Sequence, residues 1–248
     1  MNIVIMVSRV TYAPDNYSQI VEECIHIPNC CVSGILVFNN RNFTVLIQGL
    51  KLLLAGALRL GTALIRNWFA GDPKIRIARK NKIPLHYTSN PHSEACLKWL
   101  RDLQPDLLLH ARTRCVLKPE LLRIPRLGAV NIHHGLLPET RGTMCDLRLL
   151  LQGRKAGFSL HQMIPAVDSG ALFSRTEVAD AASCGKNYWT YLKQSIISEA
   201  QVSRLFLERV QKSGALPEAA REENVSSHWY KTPKYEEFKA WRGEGWKL

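Results

Sequence analysis

The sequence lacks the cysteine patterns of a disulfide framework and of a zinc site. Its seven cysteines are an odd number, no two are spaced C-x-x-C, and the adjacent Cys30 and Cys31 are a poor disulfide pair. Disulfide scaffolds and zinc proteins show regular cysteine spacings. Reduced thiols in a cytoplasmic protein are therefore expected, and no metal site is predicted.

Long hydrophobic runs without charge are also missing. The first ten residues contain no basic leader, so no signal peptide is expected. The apolar stretch 47–69 is interrupted by Lys51, Arg59 and Arg66, which fall within about 80° of one another on a helix. A membrane-spanning helix would not carry such a stripe near its middle. We therefore predict a crossover helix packed on a sheet and no transmembrane segment, with a helix lying on a membrane surface as the alternative.

Acidic residues are scarce relative to basic ones. The chain has 33 Lys and Arg against 21 Asp and Glu, a formal net charge of +12. Its densest basic stretch contains Lys74, Arg76, Arg79, Lys80 and Lys82. A basic field concentrates phosphates, nucleotides, nucleic acids and acidic membranes. A solvated basic face without a partner is the alternative.

Short apolar runs alternate with amphipathic segments along the chain. The runs predict strands at 2–8, 32–38, 83–87, 107–110, 128–132, 158–163 and 172–178. The amphipathic segments predict helices at 14–25, 50–68, 93–103 and 188–210. Such alternation is typical of βαβ units with right-handed crossovers. The predicted fold class is therefore α/β, with a doubly wound, mainly parallel sheet.

The last part of the chain differs in composition from the rest. From Gly214 onward it is polar and aromatic, with Trp229, Tyr230, Trp241 and Trp246. The length of 248 residues suits one large domain with an appendage. We expect residues 1–212 to form the domain and residues 213–248 to fold back on it. The tryptophans are expected to pack against the domain rather than to stack on bases.

Three polar residues stand where predicted strands end. Asn131 and His133 lie two residues apart at the end of the fifth strand, so their side chains point to the same side. Asp168 stands in a loop between two later strands, and Gly170 lets that loop bend sharply. Because parallel sheets bind ligands at the carboxyl ends of their strands, we predict that Asn131, His133 and Asp168 converge. His134 is expected to be exposed and without a role.

The segment around these residues resembles a known family. The run NIHHGLLPETRG at 131–142 resembles the N-x-H-x-x-L-L-P-x-x-R-G element of the folate-dependent formyltransferases. His161, followed seven residues later by Asp168 in D-x-G, resembles that family's second element. Residues 105–109 and 114–119 resemble its folate-side strand and loop. The resemblance covers about residues 104–178, and it implies a Rossmann-like formyltransferase catalytic domain over residues 1–212.

The resemblance implies 10-formyltetrahydrofolate as the formyl donor and a primary amine as the acceptor. It assigns the reaction to Asn131, His133 and Asp168. The folate-binding residues that it implies are Arg114, Cys115, Val116, Leu117 and Val167, and the supporting residues are His161, Arg141 and Gly142. The amide of Asn131 and a protonated His133 can stabilise the oxyanion of a tetrahedral intermediate. His133 or a water can move the proton from the amine to the leaving folate nitrogen. Asp168 would favour the imidazolium form of His133.

The sequence departs from the family at three places. The turn at 8–18 has no glycine, whereas the purine-pathway members have a glycine-rich phosphate turn there. Gly135 stands where many members have serine, and Cys115 stands where some have arginine. These departures leave the acceptor open without touching the three central residues.

Several functions fit this pattern. The first is an N-formyltransferase acting on a small, phosphorylated amine such as a nucleotide-linked amino sugar, and the tail at 230–233 resembles the tails of sugar-modifying members. A formyltetrahydrofolate hydrolase would use the same residues with water. Formyl transfer to methionyl-tRNA is disfavoured, because the sequence leaves no room for a large basic C-terminal domain. Nucleic-acid partners in general are also disfavoured. A basic RNA- or membrane-binding protein on the same fold is the alternative of another class. Homodimerisation is left open.

Overall fold

Strands and helices alternate through most of the chain, as seen in a computed structural model that describes residues 1–220 and 226–248. The strands are β1 (Asn2–Ser8), β2 (Cys31–Phe38), β3 (Leu85–Thr88), β4 (Leu107–Ala111), β5 (Ala129–His133), β6 (Thr140–Gly142), β7 (Ala156–Gln162), β8 (Leu172–Ala179) and β9 (His228–Tyr230). The α-helices are α1 (Ser18–Ile25), α2 (Phe43–Leu54), α3 (Leu58–Phe69), α4 (Pro73–Lys80), α5 (Glu94–Leu103), α6 (Pro119–Leu122), α7 (Cys145–Leu151), α8 (Tyr188–Ser213) and α9 (Tyr235–Gly243).

Seven strands form one sheet in the order β3-β2-β1-β4-β5-β7-β8. The first five run parallel, whereas β7 and β8 pair antiparallel at one edge. The strands β6 and β9 form a separate parallel pair. The predicted α/β class with a doubly wound, mainly parallel sheet is confirmed.

Both faces of the central strand β1 are buried because helices cover both sides of the sheet. Ile3, Ile5 and Val7 pack into a core cluster that includes residues of α1 and α8. Val4 and Met6 point the other way and pack against α5 and α6. Burial of one such side chain stabilises the fold by about 1.5–3 kcal/mol. The apolar run of β1 is thus explained by its central position in a two-sided sheet.

The prediction of one long helix at 50–68 is wrong, because the segment folds as two helices. The helix α2 ends before Gly56, whose φ of +80° is left-handed and reverses the chain. The two helices pack closely, since a Cβ on Gly61 would lie 2.9 Å from the carbonyl oxygen of Gly49. In the described part of the chain, no helix has both the length and the apolar character needed to cross a bilayer.

The helix predicted at 14–25 begins only at Ser18. Asp15, Asn16 and Tyr17 have φ values of 44°, 53° and 60° in the left-handed region. The Asn16 side chain holds this turn, because its Oδ1 accepts from the Thr11 backbone N–H at 2.9 Å and its Nδ2 donates to the Arg9 carbonyl at 2.7 Å. Asparagine tolerates this backbone region better than most residues.

The C-terminal residues pack on the rest of the chain. Phe238, Trp241, Trp246 and Leu248 are buried in a core cluster shared with α3, α7 and α8. The strand β9 pairs with β6, which places Trp229 in the lining of a large cavity, where its side chain is 52% exposed. Of the predicted extension at 213–248, residues 221–225 lie outside the described part.

Candidate active site

Three neighbouring strands place polar side chains in one row across the sheet. In the pairing of β4 with β5, His110 lies opposite Asn131, and in the pairing of β5 with β7, Asn131 lies opposite His161. The Asn131 Oδ1 atom lies 2.7 Å from His110 Nδ1, and its Nδ2 lies 3.0 Å from His161 Nε2. Both ends of the Asn131 amide are therefore held by an imidazole ring.

The hydrogen bonds of these rings fix the orientation of the amide. His161 Nδ1 lies 2.9 Å from the carbonyl oxygen of Gln162, and because a carbonyl only accepts, this nitrogen carries the proton. The Nε2 of neutral His161 then accepts from Asn131 Nδ2, and Asn131 Oδ1 accepts from the Nδ1–H of His110. One N–H of the Asn131 amide has no protein acceptor among the described residues, and Asn131 lines a large cavity.

Burial keeps both of these rings neutral near pH 7. Burial lowers the pKa of His161 to about 4, and the nearby His133 lowers it further, while Asp168 opposes the shift. Burial also lowers the pKa of His110, although its hydrogen bond with Asn131 acts in the opposite direction. The neutral tautomers that the hydrogen bonds require are therefore the stable ones.

Asp168 joins the row through His133. His133 Nδ1 lies 3.4 Å from Asp168 Oδ1, which is also 3.7 Å from His161 Nε2. The other nitrogen of His133 lies 2.9 Å from the carbonyl oxygen of Thr140, so this Nε2 carries a proton. The structure thus brings Asn131, His133, Asp168 and His161 together at the carboxyl ends of β4 and β5.

His133 is neutral near pH 7 in the free protein, in contrast to the expected imidazolium. Burial lowers its pKa below the ordinary 6.5, and the Asp168 carboxylate opposes this shift without cancelling it. Because Nε2 holds the proton, the lone pair is on Nδ1, beside Asp168. His133 is therefore arranged to accept a proton at Nδ1 rather than to donate one at the start.

The loop that carries Asp168 is held in place by two glycines and an arginine. Asp168 Oδ2 accepts from the Gly142 backbone N–H at 3.1 Å, and Arg141 donates to Ser169 at 3.0 Å. Gly142 has a φ of +97°, and a Cβ there would lie 2.1 Å from the Tyr230 carbonyl oxygen. A Cβ on Gly170 would lie 2.0 Å from the Gln162 carbonyl oxygen, so Gly170 permits close approach to β7.

A cavity of about 1100 Å³ adjoins Asn131, His133 and Asp168, and we call it the catalytic-side cavity. Its walls include every residue that the sequence suggested for the folate, namely Arg114, Cys115, Val116, Leu117 and Val167. Within the described part, the backbone N–H groups of residues 114, 116 and 117 donate to no protein acceptor. A loop with free donors beside apolar side chains suits a flat, polar-edged ring.

Two buried carboxylates near the cavity were not found from the sequence. Glu199 on α8 pairs with Arg112, whose Nε donates to Glu199 Oε2 at 2.6 Å, and this pair ties the start of the 112–117 loop to α8. Asp146 is fully buried and lies 3.1 Å from His134 Nδ1. The expectation of an exposed His134 is therefore wrong, since its side chain is 18% exposed and paired.

All seven cysteines are unpaired. Over residues 1–220 and 226–248, no three His, Cys, Asp or Glu side chains are grouped so as to hold a metal ion. Burial raises the pKa of the Cys145 thiol, and neighbouring Asp146 adds to this effect. A buried thiol of this kind is a poor nucleophile.

Comparison with known proteins gives a consistent result. Residues 64–183 match the formyl transferase family model. The bifunctional polymyxin resistance protein ArnA of Wigglesworthia glossinidia brevipalpis is 34% identical over 100 residues, which are 40% of this chain and 15% of that protein. The methionyl-tRNA formyltransferase of Thermotoga maritima is 30% identical over 111 residues, 44% of this chain and 36% of that protein. The chain thus spans about a third or less of these relatives.

Solved structures share the fold at low sequence identity. Glycinamide ribonucleotide transformylase 1 from Symbiobacterium toebii superposes with a TM-score of 0.61 at 16% identity, covering 86% of this chain and 88% of that one. A sugar N-formyltransferase from Shewanella sp FDAARGOS_354 superposes with a TM-score of 0.53 at 14% identity, covering 96% and 86%.

Proposed function

We propose that this chain transfers a formyl group from 10-formyltetrahydrofolate to the primary amine of a small, phosphorylated acceptor, because residues 64–183 match the formyl transferase family model. A nucleotide-linked amino sugar is the acceptor class that we favour. The observation that carries the proposal is the meeting of Asn131, His133 and Asp168 on the wall of one large cavity. Asn131 and His133 come from the end of β5 and Asp168 from the loop between β7 and β8, and each has the chemistry that the reaction needs.

The catalytic-side cavity fits the proposed donor. The free backbone N–H groups at 114, 116 and 117 would hold the polar edge of the folate ring, and Cys115 and Val167 would pack on its face. When bound, 10-formyltetrahydrofolate supplies a formyl carbon attached to a nitrogen that can leave. The volume of about 1100 Å³ leaves room for an acceptor beside the donor.

Asn131 would stabilise the negative charge that develops on the carbonyl oxygen. Its free N–H is already oriented, because His110 and His161 hold the two ends of the amide. A donor that needs no reorientation stabilises a developing charge most effectively, and loss of such a donor typically costs about 10²- to 10³-fold in kcat. His110 and His161 would therefore affect the reaction indirectly, by holding the Asn131 amide in its orientation.

His133 would move the proton. Its neutral ring accepts the proton of the attacking amine at Nδ1, and the resulting imidazolium is stabilised by Asp168 at 3.4 Å. The same proton then passes to the leaving nitrogen as the bond to the formyl carbon breaks. One amide bond forms, one carbon–nitrogen bond breaks, and the histidine returns to its neutral state.

The acceptor class rests on charge and on the neighbours. The chain carries a net charge of +12, which attracts phosphorylated substrates. The names of two structural neighbours refer to a ribonucleotide and to a sugar. Both features support a phosphorylated amine as the acceptor.

Product analysis tests the proposal. The purified protein would be incubated with 10-formyltetrahydrofolate and a panel of nucleotide-linked amino sugars, and each acceptor would be analysed by mass spectrometry for one added formyl group. We expect transfer to at least one member of the panel. Loss of the formyl group at the same rate with and without acceptors would identify a hydrolase and overturn the transferase proposal.

A further inference from the structure

A second cavity, of about 510 Å³, lies at the carboxyl ends of β1, β2 and β3, and its lining is rich in arginine. Arg9 follows β1 directly, and Arg41 follows β2. Arg76 and Arg79 lie three residues apart on α4, so they occupy the same face of that helix. We call this the arginine cavity.

The positive charge of the arginine cavity is not neutralised by the protein. The one carboxylate in its lining, Asp72, lies 3.0 Å from the ammonium group of buried Lys74. Within residues 1–220 and 226–248, no carboxylate oxygen lies within 4.0 Å of any of the four guanidinium groups. Four like charges around one small space repel one another, so an anion placed there would be bound favourably.

Two of the guanidinium groups are already held in place. Arg9 donates to Asn39 Oδ1 at 3.1 Å and lies 5.7 Å from the centre of the Tyr87 ring. Arg41 lies 4.8 Å from the centre of the Trp68 ring. Contacts of this kind orient the planar guanidinium and lower the entropy lost when it binds a ligand.

The arginine cavity and the catalytic-side cavity adjoin at residues 9–10 and 40–41. Val10 and Asn40 line the catalytic-side cavity, whereas their neighbours Arg9 and Arg41 line the arginine cavity. Two hydrogen bonds connect these two segments. The Val10 N–H donates to Asn40 Oδ1 at 2.9 Å, and Asn40 Nδ2 donates to the Val10 carbonyl oxygen at 2.7 Å. A ligand anchored by the arginines would therefore lie beside the catalytic-side cavity.

We propose that the arginine cavity binds the diphosphate of a nucleotide and that this nucleotide is the phosphorylated part of the acceptor. Guanidinium groups bind phosphate oxygens in pairs, with charge-assisted hydrogen bonds. The exposed rings of Phe69 and Tyr87, 65% and 40% accessible, provide apolar surface for the nucleoside. The link to the acceptor rests on the proposed function, whereas nucleotide binding by the cavity does not.

Titration calorimetry with uridine diphosphate, thymidine diphosphate and inorganic phosphate tests the binding step. The variant is Arg76→Ala/Arg79→Ala, and the matched control is Lys80→Ala/Lys82→Ala, which removes the same charge from exposed side chains outside the lining. We expect the arginine variant to weaken nucleoside diphosphate binding by about tenfold or more and the lysine variant to change it less than about threefold. Equal effects of the two variants, no binding, or equally tight binding of inorganic phosphate would overturn the proposal.

Steady-state kinetics tests whether the arginine cavity binds the acceptor of the transfer reaction. If the wild type formylates a nucleotide-linked amino sugar, the Arg76→Ala/Arg79→Ala variant should raise KM for that acceptor by about tenfold or more, with kcat within about twofold. An unchanged KM would contradict the link to the acceptor. Absence of any transfer by the wild type would refute the proposed function alone, and calorimetry would still decide whether the cavity binds a nucleotide.

Discussion

His110 Nδ1 lies 2.7 Å from Asn131 Oδ1, and this hydrogen bond between neighbouring strands sets the direction of the amide at the proposed reaction centre. His110 does not need to touch a substrate to affect the reaction. It acts by holding Asn131, so we describe it as a positioning residue.

Substitution of His110 tests this positioning role. His110→Leu keeps the volume of the buried side chain but removes the donor, so the Asn131 amide can rotate. We expect kcat to fall by about 10- to 100-fold, with KM for the folate donor changed less than about threefold. His110→Gln, which restores an N–H donor, should recover part of the loss. Equal kcat for wild type and His110→Leu would contradict the role, provided that both have the same circular dichroism spectrum.

The pH dependence of kcat reports on His133 and Asp168. The proposed mechanism needs neutral His133, so activity should be lost as the pH falls through the pKa of His133, which burial places below 6.5. Asp168 raises this pKa by favouring the imidazolium. Asp168→Asn should therefore lower kcat and also move the acid limb to lower pH. A shift to higher pH would contradict the assignment, and Asp102→Asn on the exposed face of α5 serves as the control.

Asp146 should make the protein less stable as the pH rises. Burial raises its pKa from 3.8 to about 6, against hydrogen bonds and the charge of Arg112, which lower it. The folded state thus holds this proton more tightly than the unfolded chain, so stability falls between about pH 4 and pH 6. Asp146→Asn removes that cost. Its free energy of unfolding at pH 7.5 should therefore exceed that of the wild type by on the order of 2 kcal/mol.

The expected advantage of Asp146→Asn disappears near pH 4, where the wild-type carboxyl is also neutral. Urea unfolding at both pH values measures the difference. A variant less stable than the wild type at pH 7.5 would show that the contact of the Asp146 carboxylate with His134 outweighs the cost of burial.

Two glycines with similar backbone conformations allow a matched test of close packing. Gly142 and Gly153 have φ values of +97° and +71°, but only at Gly142 would a Cβ meet another group, the Tyr230 carbonyl at 2.1 Å. Gly153→Ala should cost about 1 kcal/mol of stability through backbone strain alone. Gly142→Ala should cost about 2–4 kcal/mol and also lower kcat, because its N–H holds Asp168. Equal losses in urea unfolding would contradict the contact.

The sequence predicted the parts of the site that depend on local spacing. Asn131 and His133 lie on one strand, and Asp168 follows a recognisable histidine spacing, so their meeting could be expected from the chain alone. Much of the sheet was equally predictable, because strands such as β1, β2 and β4 are short apolar runs. In each case the evidence lies within a few neighbouring residues.

The features that were missed depend on contacts between distant segments. His110 matters because β4 pairs with β5 in one particular register, and the pairing of Arg112 with Glu199 joins residues 87 positions apart. The break at Gly56 was hidden inside an apolar run, since glycine occurs in helices as well as at their ends. The arginine cavity is built from the ends of three elements and could not be seen as one site in the sequence.

The central claim is tested most directly by the rate of formyl transfer in His133→Ala and in the matched control His26→Ala, which changes an exposed histidine beyond α1. Single-turnover rates would be measured at saturating 10-formyltetrahydrofolate and acceptor. We predict a loss of about 100-fold or more in His133→Ala and no change in His26→Ala. A His133→Ala protein that transfers formyl groups at the wild-type rate would contradict the account.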